Sequence, residues 1–252
     1  MEIMIDSMVI HYDMLGKGQP VIIMHGWGQN TEMMYSVVNG LDKEKYQVYN
    51  IDLPGFGQSD EPVREYTIDD YTDFLGEFIK VNQIENPILI GHSFGCRISI
   101  NYAARKNPVK AMVLTGAAGI IDKRGLPYYA RVYFYKFCKS FKNVPFFKHY
   151  VQEMMENSGS EDYRNSSAIM KAVLRHAVNT DLSSKLKEVD CPVLLIFGSK
   201  DEATPLWMGK QMERDMPNAK LLVYEGGSHY AYLEFAQEFN KDMNAFLEEG
   251  EK

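Results

Sequence analysis

The sequence predicts an α/β fold, an eight-stranded and mostly parallel sheet with helices on both faces. Three observations lead there. Short runs of apolar, often β-branched residues recur along the chain and end in glycine-containing loops, as strands buried on both faces do. Segments with apolar residues three and four apart follow most of them, which is the period of a helix with one buried face. The two signals alternate, and within one core that alternation implies crossover connections and parallel pairing. With 252 residues, 45% hydrophobic and 24% charged, the chain suits one core domain with an insertion.

Taken in order, Met1 to Leu15 reads as two short strands ending at Gly16-Lys17-Gly18, a hairpin leading into the sheet. Pro20 to Met24 and Gln47 to Ile51 are the next strands. The stretch Asp52-Leu53-Pro54-Gly55-Phe56-Gly57 is a loop, because a proline and two glycines propagate neither regular element. Thr67 stands where it can cap a helix whose apolar face is Ile68, Tyr71, Phe74, Leu75, Phe78 and Ile79. Pro87 to Ile90 is a short apolar strand bounded by Gly91, followed by a helix from about Phe94 to Arg105. Val109 to Leu114 and Cys191 to Phe197 are further apolar strands. A helix Leu206 to Asp215, a strand Lys220 to Tyr224 and a terminal helix from about Tyr230 to Glu248 complete the set.

Residues 1–119 and 188–252 form the predicted core, and 120–187 an insertion without strand signal. The insertion places Tyr128, Tyr129, Tyr133, Phe134, Phe137, Phe141, Phe146 and Phe147 at helical spacing, which predicts a helical lid over the sheet's C-terminal edge. Between Ile120 and Gln152, Lys123, Arg124, Arg131, Lys136, Lys139, Lys142 and Lys148 face only Asp122 as a nearby acid, so the segment is locally basic. A solvated helix face accounts for such a run as well.

The formal net charge of −7 disfavours nucleic acid as a partner. The first twelve residues lack the basic and continuously apolar regions of a signal peptide, and the longest apolar runs fall well short of the ~20 residues that span a bilayer. A cytoplasmic protein without a membrane partner is therefore expected. Cys96, Cys138 and Cys191 show no paired spacing, so neither a disulfide nor a metal site is predicted. Cys96 reads as a small buried residue of a helix–strand contact rather than a reactive thiol.

Gly91-His92-Ser93-Phe94-Gly95 follows a strand and opens a helix, the setting in which G-x-S-x-G forms a nucleophile elbow. Side chains at Gly91 or Gly95 would collide with the neighbouring strand and helix. A serine nucleophile needs a histidine base, and the base needs a carboxylate to fix its tautomer. Asp201 follows Gly198-Ser199-Lys200 after one strand, and His229 follows Gly226-Gly227-Ser228 after the next. Both lie where ligands gather in parallel sheets. Singly, Asp201 also reads as a helix cap and His229 as a polar loop residue; the order and the repeated strand-loop setting favour catalysis. No carboxylate lies in Thr115 to Gly119, which leaves Glu202 as the fallback acid. His25 and His92 read as structural partners of the elbow, whereas His11, His149 and His176 have no supporting context.

These motifs resemble the α/β-hydrolase superfamily over the whole chain outside the insertion. The resemblance implies that His25-Gly26-Trp27-Gly28 is the oxyanion loop, with the backbone N–H groups of Trp27 and Phe94 as the donors, and that no cofactor is needed. Ser93 argues against the haloalkane dehalogenases and epoxide hydrolases of that superfamily, whose nucleophile is aspartate. The loops His25 to Asn30 and Asp52 to Ser59 are similar to those of pimeloyl-carrier-protein methyl ester esterases, whose lids bind an acidic carrier through arginines. Arg97 sits at the offset from Ser93 where related menaquinone-pathway synthases carry arginine, and so is a candidate substrate-binding residue; otherwise it is a helix surface residue. The leading expectation is a carboxylesterase acting on a small to medium, partly apolar ester flanked by the Trp27 and Phe94 side chains. A C–C bond hydrolase or synthase using the same triad, or a silent ligand-binding protein, are the alternatives. An ordinary histidine titrates near ~6.5, so activity is expected to fall below about that pH.

Overall fold

The computed structural model describes residues 1–121 and 166–249. The predicted lid residues Tyr128 to Phe147, the basic residues Lys123 to Lys148, Cys138 and His149 lie outside the described residues. At one edge of the sheet, β1 (Glu2–Ile5) and β2 (Met8–Gly16) form an antiparallel hairpin. Its turn residues Asp6 and Ser7 take φ values of 49° and 65°, the left-handed pair that matches the twist of a tight hairpin. β2 then pairs antiparallel with β4 (Tyr46–Ile51), and all later neighbours are parallel: β3 (Gln19–Met24), β5 (Ile88–His92), β6 (Ala111–Thr115), β7 (Val193–Gly198) and β8 (Ala219–Tyr224).

The order is β1-β2-β4-β3-β5-β6-β7-β8. From β3 the chain goes first to β4 on one side and later to β5 on the other. This reversal opens a crevice beyond the C-terminal ends of β3 and β5, the place where parallel sheets bind ligands. The loops beginning at His25 and Ser93 leave the sheet on the two sides of that crevice.

Alternation along the central strands supplies two cores. Ile22, Met24, Leu89, Met112, Leu114, Leu195 and Phe197 belong to the first, with Tyr71, Phe74 and Phe78 of α2 (Ile68–Val81) and Ile98 of α3 (Phe94–Ala104). Met170 of α4 (Ala168–Asn179) and Met212 of α5 (Leu206–Asp215) complete this layer. Val21, Ile23, Ile90, Val113 and Ile196 face the second core, with Val37 and Val38 of α1 (Tyr35–Gly40), Tyr232 of α6 (Ala231–Glu234) and Phe239 of α7 (Ala236–Glu249). Thr67 caps α2 reciprocally. Its hydroxyl accepts from the Asp70 N–H at 3.2 Å, and the Asp70 carboxylate accepts from the Thr67 N–H at 2.7 Å.

Three local readings are corrected. A 3-10 turn at Thr31–Met34 and helix α1 stand where no helix was predicted. The predicted single terminal helix divides at Phe235, which leaves helical geometry (φ −118°, ψ 41°) and packs its ring 5.5 Å from that of Tyr224. β5 runs on to His92, because Gly91 and His92 stay in register with Leu114 and Thr115. Among the described residues no helix is long and apolar enough to cross a membrane, and Cys96 and Cys191 are free thiols.

Candidate active site

Ser93 occupies the turn between β5 and α3 with φ 47° and ψ −97°, a conformation that costs a serine about 1–3 kcal/mol. Neighbouring backbone holds it there. Its N–H donates to Thr115 O at 3.1 Å, and Gly95 N–H donates to His25 O at 3.1 Å. The two motif glycines permit this closeness: a Cβ on Gly95 would lie 2.4 Å from Met24 O, and one on Gly91 would lie 2.9 Å from Cys96 N. Within the turn, Cys96 donates to Gly91 O at 3.1 Å, and complete burial pushes its thiol pKa far up. Cys96 is thus a packed structural thiol.

Opposite Ser93 stands the loop after β3. His25 is fully buried; its Nδ1–H donates to Gly26 O at 2.7 Å, while Nε2 accepts from Leu53 N–H at 3.0 Å. Burial lowers its pKa to about 4, so the ring is neutral with one tautomer fixed by both bonds. His25 therefore ties this loop to the Asp52 loop. There Asp52 accepts from Thr31 N–H at 2.7 Å and from Gln58 N–H at 2.9 Å. The Trp27 indole packs edge-on against Phe56 and Phe94, with centroids 4.9 and 5.4 Å apart. The N–H groups of Trp27 and Phe94 donate to no acceptor among the described residues, and the Phe94 N–H belongs to the first turn of α3.

The loops after β7 and β8 meet at a carboxylate–imidazole pair. His229 Nδ1 donates to Asp201 Oδ2 at 2.8 Å. Asp201 also accepts from the N–H groups of Ala203 and Thr204 at 2.9 and 2.8 Å and from the Thr204 hydroxyl at 2.7 Å. Burial opposes ionisation of Asp201, but the bonds from His229 and Thr204 outweigh it and hold the carboxyl below its ordinary range. These bonds occupy Asp201 ahead of α5, whose N-cap, Pro205, takes no side-chain cap. Glu202, the fallback acid, is exposed.

Thr204 Oγ1 is also 3.2 Å from His229 Nδ1, a contact not predicted from sequence; a single threonine three residues after Asp201 was its only sign. Glu234, equally unforeseen, accepts from Ser228 N–H at 2.8 Å and from Ser228 Oγ at 2.6 Å, which braces the loop just before His229. Gly198 lets the two loops touch: a Cβ there would lie 2.3 Å from both Gly227 O and Ser228 O.

His92 links this pair to the elbow. Its Nε2–H donates to His229 O at 3.1 Å, and its ring lies 4.8 Å from that of His229. Burial and the neighbouring His229 lower its pKa to about 3, so it is neutral. The structure thus links Asp201 and His229 through His92 to the Ser93 turn, and Ser93 shares a cavity with Trp27 and Phe94. His229 Nε2 and Ser93 Oγ make no hydrogen bond among the described residues.

A cavity of about 170 Å³ opens at Ser93, walled by Trp27, Phe94, Ala118, Leu174 and Met208. Arg97 lines it too. The reading of Arg97 as a helix surface residue is corrected: it is 8% exposed, because the chain after α4 folds over it and Thr180 O accepts from its guanidinium at 2.9 Å. Burial lowers its pKa to about 10, which leaves it charged at neutral pH.

The model of one family, described as alpha/beta hydrolase fold, matches residues 19–236. The chain is 28% identical over 255 residues to the AB hydrolase superfamily protein YisY of Bacillus subtilis, covering 92% of each chain. It is 25% identical to the pimeloyl-[acyl-carrier protein] methyl ester esterase of Nitrosomonas europaea, over 91% of this chain and 96% of that one. The crystal structure of a bromoperoxidase from Bacillus anthracis superposes with a TM-score of 0.75 at 24% identity, covering 96% of both chains.

Proposed function

Since this chain belongs to the alpha/beta hydrolase family, and is thereby a hydrolase, we propose that it cleaves a carboxylic ester through an acyl-enzyme on Ser93. The observation that carries the reading is the Asp201–His229 bond of 2.8 Å, which sets Nδ1 as the protonated nitrogen and leaves Nε2 as the basic one, in a loop packed on the residue before Ser93.

In this mechanism Nε2 takes the Ser93 hydroxyl proton as Oγ bonds to the ester carbonyl carbon. The carbonyl oxygen becomes an oxyanion and accepts from the N–H groups of Trp27 and Phe94, which have no other acceptor among the described residues; the positive end of α3 adds to this stabilisation. The C–O bond then breaks, and the imidazolium returns the proton to the leaving alkoxide. Water, deprotonated by His229, attacks the acyl-enzyme, and the acid leaves as Ser93 recovers its proton. Thr204 and His92 position the imidazole.

The substrate on this reading is a small to medium, partly apolar ester. It is free or borne on a carrier protein, the latter suggested by the name of the Nitrosomonas relative and by the basic residues Lys123 to Lys148. Residues 120–187 are read as a lid; α4 supports this by contributing Leu174 and Ala177 to the cavity wall.

A fluorophosphonate probe and p-nitrophenyl butyrate test the proposal together. Wild-type protein is expected to be labelled at Ser93 and to release p-nitrophenolate. Ser93→Ala is expected to lose labelling and roughly 10⁴-fold or more in kcat. Neither labelling nor turnover by the wild type would refute the acyl-enzyme.

A further inference from the structure

We infer that the cavity beside Ser93 receives an anionic substrate, and that Arg97 binds a carboxylate carried by the ester; the inference rests on the ester-hydrolase reading above. Arg97 lies on α3 one helical turn beyond Ser93 and lines the same cavity. Its guanidinium offers several N–H donors, of which one is used, toward Thr180 O. No carboxylate among the described residues comes within ion-pair distance of it. Asp181, beside Thr180, acts only through space.

Three exposed arginines are paired all the same. Arg64 meets Asp70 at 2.6 Å, Arg105 meets Asp69 at 2.6 Å, and Arg214 meets Asp215 at 2.7 Å. A cation that is exposed is cheaply solvated, and one that is buried is costly unless paired. Among the described residues Arg175, also exposed, stays in water without an ion pair, whereas Arg97 is buried and has no counter-ion. Arg97 also borders the cavity.

Trp27, which lines the same cavity, holds a second orphan: its Nε1–H is buried without a hydrogen-bond partner among the described residues. Both unsatisfied groups are donors, so the missing partner is an acceptor, and the charge of Arg97 makes it an anion. Ile120, Leu174, Val178 and Met208 supply apolar surface between them. This combination fits a short apolar chain that ends in a carboxylate, whose two oxygens match the planar guanidinium fork. The substrate class is the half-ester of a dicarboxylic acid.

The test compares mono-p-nitrophenyl glutarate with p-nitrophenyl pentanoate, which carries a methyl group in place of the terminal carboxylate. Wild-type kcat/KM is expected to favour the glutarate by about tenfold or more, and Arg97→Gln is expected to bring the ratio near one. Equal wild-type values, or a preference kept in Arg97→Gln, would overturn the inference. A binding measurement on Ser93→Ala, with Arg97 intact, covers the case of a variant that does not fold. There glutarate is expected to raise Tm while glutaramide does not. A rise with inorganic phosphate alone, or with both organic ligands equally, would reject carboxylate recognition. Labelling and turnover without charge preference would sink this inference and leave the hydrolase reading standing. Glutarate binding without turnover would do the reverse.

Discussion

Replacing His92 by glutamine removes a proton acceptor that the unfolded chain possesses and the folded chain does not. Burial, with His229 beside it, holds the His92 pKa near about 3, and burial holds His25 near about 4. In the unfolded chain both titrate near ~6.5. Between those values the unfolded form binds more protons, so stability conferred by the neutral rings is complete above about pH 6.5 and falls as the solution is acidified. Integrating that difference from pH 7 to pH 5 gives a loss of about 2 kcal/mol for each histidine, or about 4 kcal/mol for the pair. Glutamine keeps a donor for His229 O but does not titrate. Urea unfolding of wild type and His92→Gln at pH 7, 6 and 5 measures the effect. The expected result is that the variant loses about 2 kcal/mol less than wild type between pH 7 and pH 5, whatever offset it carries at pH 7. Parallel losses in the two proteins would show that His92 is protonated in the folded state and would refute the argument from burial.

Gly198→Ala places a Cβ against two carbonyl oxygens of the loop that ends at His229, so that loop must shift relative to Asp201. Activity toward p-nitrophenyl butyrate is expected to fall by roughly 10²-fold, as misplacement of a catalytic group by about 1 Å can do; a rate within twofold of wild type would contradict it. Thr204→Val keeps the side-chain volume but removes the hydroxyl shared between Asp201 and His229. Because a hydrogen bond to a charged group contributes about 1.5–3 kcal/mol, kcat is expected to drop about tenfold or more with KM little changed. An unchanged kcat would assign the orientation of His229 to Asp201 alone.

Much of the fold was legible because its signals are local. The β1–β2 hairpin, the Thr67 cap and the strand-turn-helix at Ser93 each depend on dihedral limits and hydrogen bonds within a few residues, and those limits are written in residue type. Ser93, Asp201 and His229 stood out as candidates for the same reason, each following its own strand with glycine close by. Helix α1 did not stand out. Its residues are few, and much of its support comes from far along the chain, where Asn240 and Asn244 of α7 donate to Ser36 O and Gly40 O. Thr204 and Glu234 were missed because a lone hydroxyl or carboxylate near a loop announces no partner.

Arg97 marks the boundary most clearly. Sequence by itself determined that an arginine follows Ser93 by one helical turn. Only the tertiary structure decided that Thr180, far along the chain, would bond it and that its side chain would be buried at the cavity beside Ser93. Backbone preference acts between neighbours and survives in the sequence as pattern. Burial is the sum of contacts among segments that meet only when the sheet is assembled, and it sets the state of a charge.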